Sequence, residues 1–454
     1  MNFLVPTMLF GWIPAVLVLF MILPARQAVL AGFVAGWLFL PVASLDLAGL
    51  PAYTKMTAVS VVVLLGIILF DLERLASYRP HWLDVPMIVW CLTDLFTALS
   101  NELGVYDGMS GVLGEVMSHG LPYFIGRLYF NDPKSLRQLA VAIFVGGLVY
   151  IPFCLFEIRM SPQLHRWVYG FHQHRFSHAM RLGGYRPRVF MNTGLAVGMW
   201  MAMTTLVGFW MLRIGGVRRF AGVRMWIFVT GLAVTTILCK SVGAAALMAL
   251  GMGATLATQW TRSRFALAAL VLLPPTYMVL RATQAWSGRD LVRITREHIN
   301  EDRAMSLEGR LEQEDAFSTH AFKRPLYGWG ASGGRFFPRD RFTGEQATRG
   351  IDSFWIVMLA VNGLVGLCSW TLAMLLPPAV FVWRNRAEFW RGPIASAPGA
   401  LALVLCLYVT DCLFNAMVSP LFALTCGSLA GLIACYVPRP ASTRVATPAA
   451  RSGT

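Results

Sequence analysis

Charge is scarce in this chain. Asp, Glu, Lys and Arg make up 13% of its 454 residues, about half the share of a soluble globular protein. An ordinary solvated enzyme surface is therefore excluded. Acids are the scarcer sign, 23 against 38 Lys and Arg, which leaves a net charge of +15. Metal-type cysteine spacing is missing as well. Cys91, Cys154, Cys239, Cys368, Cys406, Cys412, Cys426 and Cys435 all lie in apolar runs and read as small buried hydrophobes. The alternation expected of a membrane barrel is absent, and no repeat relates the two halves. No basic stretch precedes the first apolar run, so that run is expected to be a retained span, not a cleaved leader.

What is abundant is apolar: 56% of residues are hydrophobic and the mean hydropathy is +0.59. Runs of roughly 20 apolar residues recur from end to end, long enough to cross a bilayer core as helices. A backbone in lipid must satisfy its own hydrogen bonds, so such runs mean helices. The pattern predicts an all-α polytopic membrane protein of 12–13 spans, over 4–23, 28–45, 56–72, 83–100, 109–130, 137–157, 189–212, 225–239, 241–259, 264–282, 354–383, 397–414 and 419–437. The fifth is interrupted by Glu115, His119 and Arg127. Glu115 and His119, one turn apart, suggest an ion pair.

Lys and Arg are expected to mark the cytoplasmic side. The short connections at Arg26, Arg74, Arg79, Lys134, Arg137, Arg213–Arg224, Arg262, Arg264 and Arg384–Arg391, with the tail, share one parity. They carry about twice as many cations as the other side. This places the N-terminus outside and the C-terminus inside. The loop 158–188 is then external despite Arg159, Arg166, Arg175, Arg181, Arg186 and Arg188. Six arginines on the wrong side suggest an anionic ligand, whose phosphate would suit arginine's planar fork. A solvated loop or lipid headgroups would also account for them. His172, His174 and His178 have no acid or cysteine beside them, so no metal site is expected there.

The segment 282–350 is the one sizeable polar region. Residues 289–304 and 307–322 read as two amphipathic helices, with Leu307, Leu311, Phe317 and Phe322 packing down. The Gly- and Pro-rich "KRPLYGWGASGGRFFPRD" that follows reads as loop. The chain thus divides into an N-terminal bundle (1–281), a large external loop (282–350), C-terminal spans (351–438) and a disordered cytoplasmic tail (439–454).

The order of motifs resembles the bacterial O-antigen ligase and O-antigen polymerase superfamily. Arg310 is followed by "PLYGWG", with Pro325, Gly328 and Gly330. Then come Asp352, Ser353 and Phe354 at the mouth of a span, and Asn362, Gly363 and Gly366 within it. Weaker matches are "YRPRVFMNTGLAVGMWMA" and "CKSVGAAALMAL". The likeness covers roughly 180–440. It implies a fold similar to integral-membrane glycosyltransferases that use lipid-linked donors, in the bacterial inner membrane with the site facing the periplasm. The implied donor is an undecaprenyl-pyrophosphate-linked glycan, and the acceptor another glycan or a lipid A core. Other polysaccharide-assembly proteins are possible partners. No cofactor, metal or nucleic acid is implied.

On this reading Arg181, Arg186, Arg188 and Lys240 bind the pyrophosphate, and Arg310, Asp352 and His320 are the catalytic candidates. Fixed cations would stabilise charge on the leaving group. Family ligases carry histidine where this chain has Asp352, which favours a polymerase over a ligase. Asp352 is a proton acceptor or a helix N-cap. Arg310 could instead pair with Glu314, and Lys240 could simply snorkel. Asp94 and Asp411 are further ionisable residues in spans, and Asp411 with Asn415 could border the sugar. A transporter of an anionic substrate and an envelope scaffold are the competing classes. Topology is directly testable. Single cysteines at Ser177 and Thr343 should both react with an impermeant thiol reagent in intact spheroplasts. Protection of either until lysis would overturn the orientation.

Overall fold

The computed structural model describes residues 2–46, 51–181, 183–298, 300–338 and 352–435, with the backbone alone at His178. The tail and residues 339–351, with Thr343 among them, lie outside the described residues. Helices make up most of the chain. In order they are α1 (Leu4–Ile22), α2 (Ala25–Phe39), α3 (Lys55–Phe70), a short α4 (Leu72–Ala76), α5 (Val85–Ser100) and α6 (Val105–Glu115). Then come α7 (Leu121–Tyr129), α8 (Pro133–Met160), a short α9 (Leu164–Tyr169), α10 (Gly194–Arg213), α11 (Met225–Leu238), α12 (Val242–Thr261) and α13 (Phe265–Ala282). The polar segment forms α14 (Arg289–His298) and α15 (Glu301–Ala321), and the chain ends with α16 (Phe354–Arg384), α17 (Ala397–Asp411) and α18 (Pro420–Cys435).

Among the described residues seven helices are long and apolar enough to cross a membrane: α1, α5 with the turn before it, α8, α10, α12, α13 and α16. This is consistent with an all-α polytopic membrane protein. The runs expected as the second, third, eighth, twelfth and thirteenth spans are helices α2, α3, α11, α17 and α18, of 14 to 16 residues. Each is about 21–24 Å long, short of a ~30 Å hydrocarbon core. The fifth span is divided. A π turn at Val116–Gly120 joins α6 to α7, and His119 Nδ1 meets Glu115 there at 2.7 Å. Arg127 faces inward, forking onto Asp84 at 2.8 and 3.0 Å.

Local sequence explains the helix starts. Thr54 caps α3, Asp132 caps α8 with Pro133 just inside, and Thr193 caps α10. Trp260, Phe265, Trp383 and Phe389 are all exposed where α12, α13 and α16 end or begin, with the Arg264 guanidinium over the Trp383 ring. That is the placement of an interfacial aromatic girdle.

The polar segment differs from expectation at one boundary. Asn300 accepts from the Arg303 N–H and starts α15 at Glu301, so Glu301–Ala304 belong to the second helix. Leu311 and Phe317 pack down as expected, whereas Phe322 stays exposed.

The helix α16 is broken. Gly363 has φ 69° and ψ −164°, so the backbone turns out of the helix within a membrane-length segment. The loop carrying "PLYGWG" closes the gap. Trp329 N–H donates to Ala360 O (2.9 Å) and Gly330 N–H to Val361 O (3.0 Å), while Leu364 and Val365 N–H donate to Pro325 O (2.7 Å) and Leu326 O (3.1 Å). Side chains brace the plug: Thr97 Oγ1 donates to Tyr327 O and Asn101 Nδ2 to Gly328 O. Asn362 Nδ2 donates to Asp94 Oδ1 at 2.6 Å. Non-helical backbone at this depth is tolerated only when buried in protein with its groups paired. A Cβ on Gly328 would meet Val361 O, and one on Gly363 would meet Leu326 O. Gly363→Ala should therefore destabilise by about 2 kcal/mol or more, read as a lower Tm of the purified chain. Gly243→Ala, where a Cβ meets open space, is the neutral control. Equal Tm for both would refute the close-docking account.

Candidate functional site

At the end of the bundle where α8 and α11 finish and α10, α12 and α16 begin, the loop 158–190 is folded by buried groups. Glu157, in the last turn of α8, accepts from the N–H groups of Leu164 (3.0 Å), Arg188 (2.7 Å) and Val189 (2.7 Å). Lys55 Nζ donates to Phe190 O at 2.8 Å. His165 is fixed as the neutral ring: Nε2 accepts from Val42 N–H (3.1 Å) and Nδ1 donates to Phe171 O (2.9 Å). A two-residue pairing of Met180–Arg181 with Gly184–Tyr185 leads into Arg186.

The cations expected to bind pyrophosphate have different surroundings. The Arg188 fork donates to His174 O (2.9 Å) and Arg175 O (2.7 Å), so it clasps its own loop. Arg186 is 7% exposed, donates one bond to Lys240 O at 2.8 Å and keeps a buried Nε without a partner. Among the described residues it makes no ion pair. Burial, then repulsion from Arg181 and Arg303, pushes its pKa down to about 10, so it stays charged at neutral pH. Lys240 occupies the α11–α12 turn at φ 52° with its amine against Gly184. Arg181 is exposed.

The other half of the site comes from α15. Arg303 and Arg310 are seven residues apart, on one face of the helix. Arg303 is half-buried, with an Nε that has no partner. Burial and the charge of Arg181 push its pKa down. Arg310 Nη2 meets Asp352 Oδ2 at 3.1 Å, with the Asp352 side chain 56% exposed. Asp352 is not the cap of α16; Ser353 holds that position. Phe354 and Trp355 N–H instead donate to Cys412 O, which sets Asp352 beside the end of α17. Asp411 lies there, within electrostatic range of Arg310. It is buried and bonded to Asn415 Nδ2 at 2.7 Å, while Asn415 Oδ1 and Ser419 Oγ are buried without partners.

Two expected contacts differ. Glu314 does not pair with Arg310; it is buried against Arg281 Nε (3.0 Å), Tyr277 OH (3.0 Å), Trp355 Nε1 (3.2 Å) and Ser353 Oγ (3.3 Å). Burial pushes this carboxyl up, and the donors of Arg281, Trp355 and Tyr277 oppose it. His320 lies about 15 Å along α15 from Arg310. It stacks on Trp329 and donates to Arg335 O at 3.0 Å, so it is not gathered with Asp352.

The site therefore brings Arg181, Arg186, Lys240, Arg303 and Arg310 to one end of an apolar bundle, beside two carboxylates. Sequence reasoning missed Arg303, Arg281 and Glu157, and offered Glu314 a different partner. The seven-residue spacing from Arg310 could have found the first. Among the described residues no three His, Cys, Asp or Glu groups assemble into a metal-type cluster. No family model matches the chain, and no curated protein matches it.

His165 gives the site a pH dependence. Burial lowers its pKa from 6.5 to about 4. The unfolded loop binds this proton below about pH 6.5 and the folded loop does not, so its stabilisation is complete above 6.5 and lost as pH falls toward 4. Hydrogen exchange at the Val42 amide should accelerate over that interval. Protection that is flat from pH 7 to 4 would contradict it.

Proposed function

We propose that this chain is a membrane glycosyltransferase of surface polysaccharide assembly. On this reading it transfers a glycan from undecaprenyl pyrophosphate to an acceptor sugar hydroxyl, working polymerase-fashion at the periplasmic face of the bacterial inner membrane. The observation that carries the reading is Arg186: a buried cation with an unpartnered Nε, no carboxylate partner among the described residues, and Arg181 and Arg303 acting on it. Such a cluster is electrostatically unfavourable until an anion enters. A diphosphate meets that demand with two charged groups, and arginine forks bind phosphate oxygens bidentately. The apolar bundle beneath supplies the surroundings a polyprenyl chain requires.

The step balances as follows. The acceptor oxygen attacks the sugar C1, the C1–O bond to the diphosphate breaks, and its electron pair stays on the diphosphate. Arg186, Arg303 and Arg310 neutralise that growing charge. The hydroxyl proton passes to the Asp352 carboxylate. Asp411 and Asn415, with Ser419, offer buried polar groups for the acceptor's other hydroxyls. Arg188 is a positioning residue that holds the loop. A ligase acting on lipid A core would use the same groups and differ in acceptor. The broken α16 is the feature that favours a transporter. Its free backbone groups are closed by residues 325–330, which leaves that reading without an ion site at the break.

The test is glycan transfer from a lipid-linked diphosphate donor by the purified chain in lipid vesicles. Arg186→Ala and Arg310→Ala should each lower turnover about a hundredfold, with Lys at either position restoring only part. Asp352→Asn should abolish turnover at normal protein level. Activity should survive EDTA. Near-normal transfer by both alanine variants would return these arginines to a solvated-loop role and remove the basis of the proposal.

A further inference from the structure

The opposite end of the bundle holds a second cationic site, unconnected with the first. There α2 begins, α3 and α7 end, and α8 begins. A recess of about 310 Å³ opens between them, lined among others by Arg26, Gln27, Asp71, Arg74, Tyr129 and Gln138. Arg26 Nε and Arg74 Nε are both buried and without a hydrogen-bond partner. The first turn of α2 faces the same recess and has no side-chain cap, so its N–H groups add partial positive charge.

The two nearby carboxylates each have a hydrogen-bonded partner outside the arginines. Asp71 Oδ2 accepts the Tyr129 hydroxyl at 2.7 Å. Asp132 caps α8 through Lys134 and Ser135 N–H at 2.9 and 3.1 Å. It also forms a long ion pair with Arg26 Nη2 at 3.7 Å, beyond hydrogen-bond length and with the two side chains 30% and 37% exposed, so water screens it. Arg74 is held over the Tyr129 ring, 5.5 Å from its centroid, so its fork is positioned without being neutralised. Two amide side chains, two guanidiniums and a helix N-terminus outweigh the one lining carboxylate, Asp71, and make a donor-rich recess complementary to a tetrahedral oxyanion.

We infer that this recess binds a phosphoryl group. Its place where apolar helices end is the headgroup level of a spanning bundle, where an anionic phospholipid supplies that group; free phosphate has the same chemistry. The recess draws on no residue of the site around Arg186, so it stands independently of the proposed transfer.

The experiment uses the full-length chain in phosphatidylcholine nanodiscs, with Tm as the readout. Replacing part of the lipid with phosphatidylglycerol should raise Tm by about 2–4 °C. The double variant R26Q/R74Q should lose the rise. Gln138→Trp, which fills the recess and leaves both arginines, guards against a folding defect and should lose it too. In a parallel arm, millimolar inorganic phosphate is added without the anionic lipid. A rise there, abolished by the same variants, assigns the site to free phosphate; a rise with lipid alone assigns it to a headgroup. No rise in either arm, or a rise that both variants retain, overturns the inference.

Discussion

The ion pair between Arg281 and Glu314 fixes everything above the bundle. Both side chains are about 1% exposed. Burying two charges is unfavourable unless each remaining donor and acceptor finds a partner, and here they do. Arg281 also donates to Trp286 O, Leu311 O and Asp315 Oδ1. Glu314 also accepts from Tyr277, Trp355 and Ser353. Three elements are thereby tied at one point: α13 through Arg281, α15 through Glu314, and the start of α16 through Ser353 and Trp355. The pair sets how α15 lies, and α15 carries Arg303 and Arg310. Their approach to Asp352 and to Arg186 follows from a contact that touches neither.

A second constraint works from the same elements. The loop at residues 325–330 descends from the end of α15 into the break in α16, and its backbone completes a helix that cannot complete itself. Asn362, beside the break, reaches Asp94 of α5, and Thr97 and Asn101 of α5 hold the loop. The motif glycines belong to this junction. Their role is close backbone approach, and the chemistry lies on the side chains that the junction orients.

Much of this was legible in sequence because it is local. Each expected span corresponds to a helical segment, since apolar runs of that length leave the backbone no other solution in lipid. Arg186, Arg310 and Asp352 were singled out as candidates from their order along the chain, and the structure brings Arg310 to Asp352. The pairing of Glu314 with Arg281 was not, because residues 33 apart meet only once α13 and α15 pack. A helix-face argument within α15 points instead to Arg310. Glu157 was hidden for a similar reason: its partners are backbone N–H groups up to 32 residues away, and backbone donors leave no mark on composition. The break in α16 was missed although Asn362–Gly363 is a turn-type dipeptide, because the apolar residues on either side read as one continuous span. His320 misled because it shares a helix and a motif with Arg310, but ten residues of α-helix set it on another face and about 15 Å away.

Two of the arginine–carboxylate pairs near this end, Arg281–Glu314 and Arg310–Asp352, differ in what opening them would take. Removing one partner of a buried, fully bonded pair such as Arg281–Glu314 costs about 3–5 kcal/mol. Arg310 and Asp352 share one 3.1 Å contact, with their side chains 25% and 56% exposed, and water screens it. Such a pair is worth about 0–1 kcal/mol. A single charged hydrogen bond from Arg310 to an incoming oxyanion, at about 1.5–3 kcal/mol, exceeds that. An anion that draws Arg310 away also frees the Asp352 carboxylate oxygen from its one contact with that guanidinium. The same displacement would bind the leaving group and leave that oxygen open to the acceptor hydroxyl. In the proposed transfer, diphosphate binding and proton acceptance are thereby coupled through one weak contact, while the strong pair beneath it keeps α15 in place.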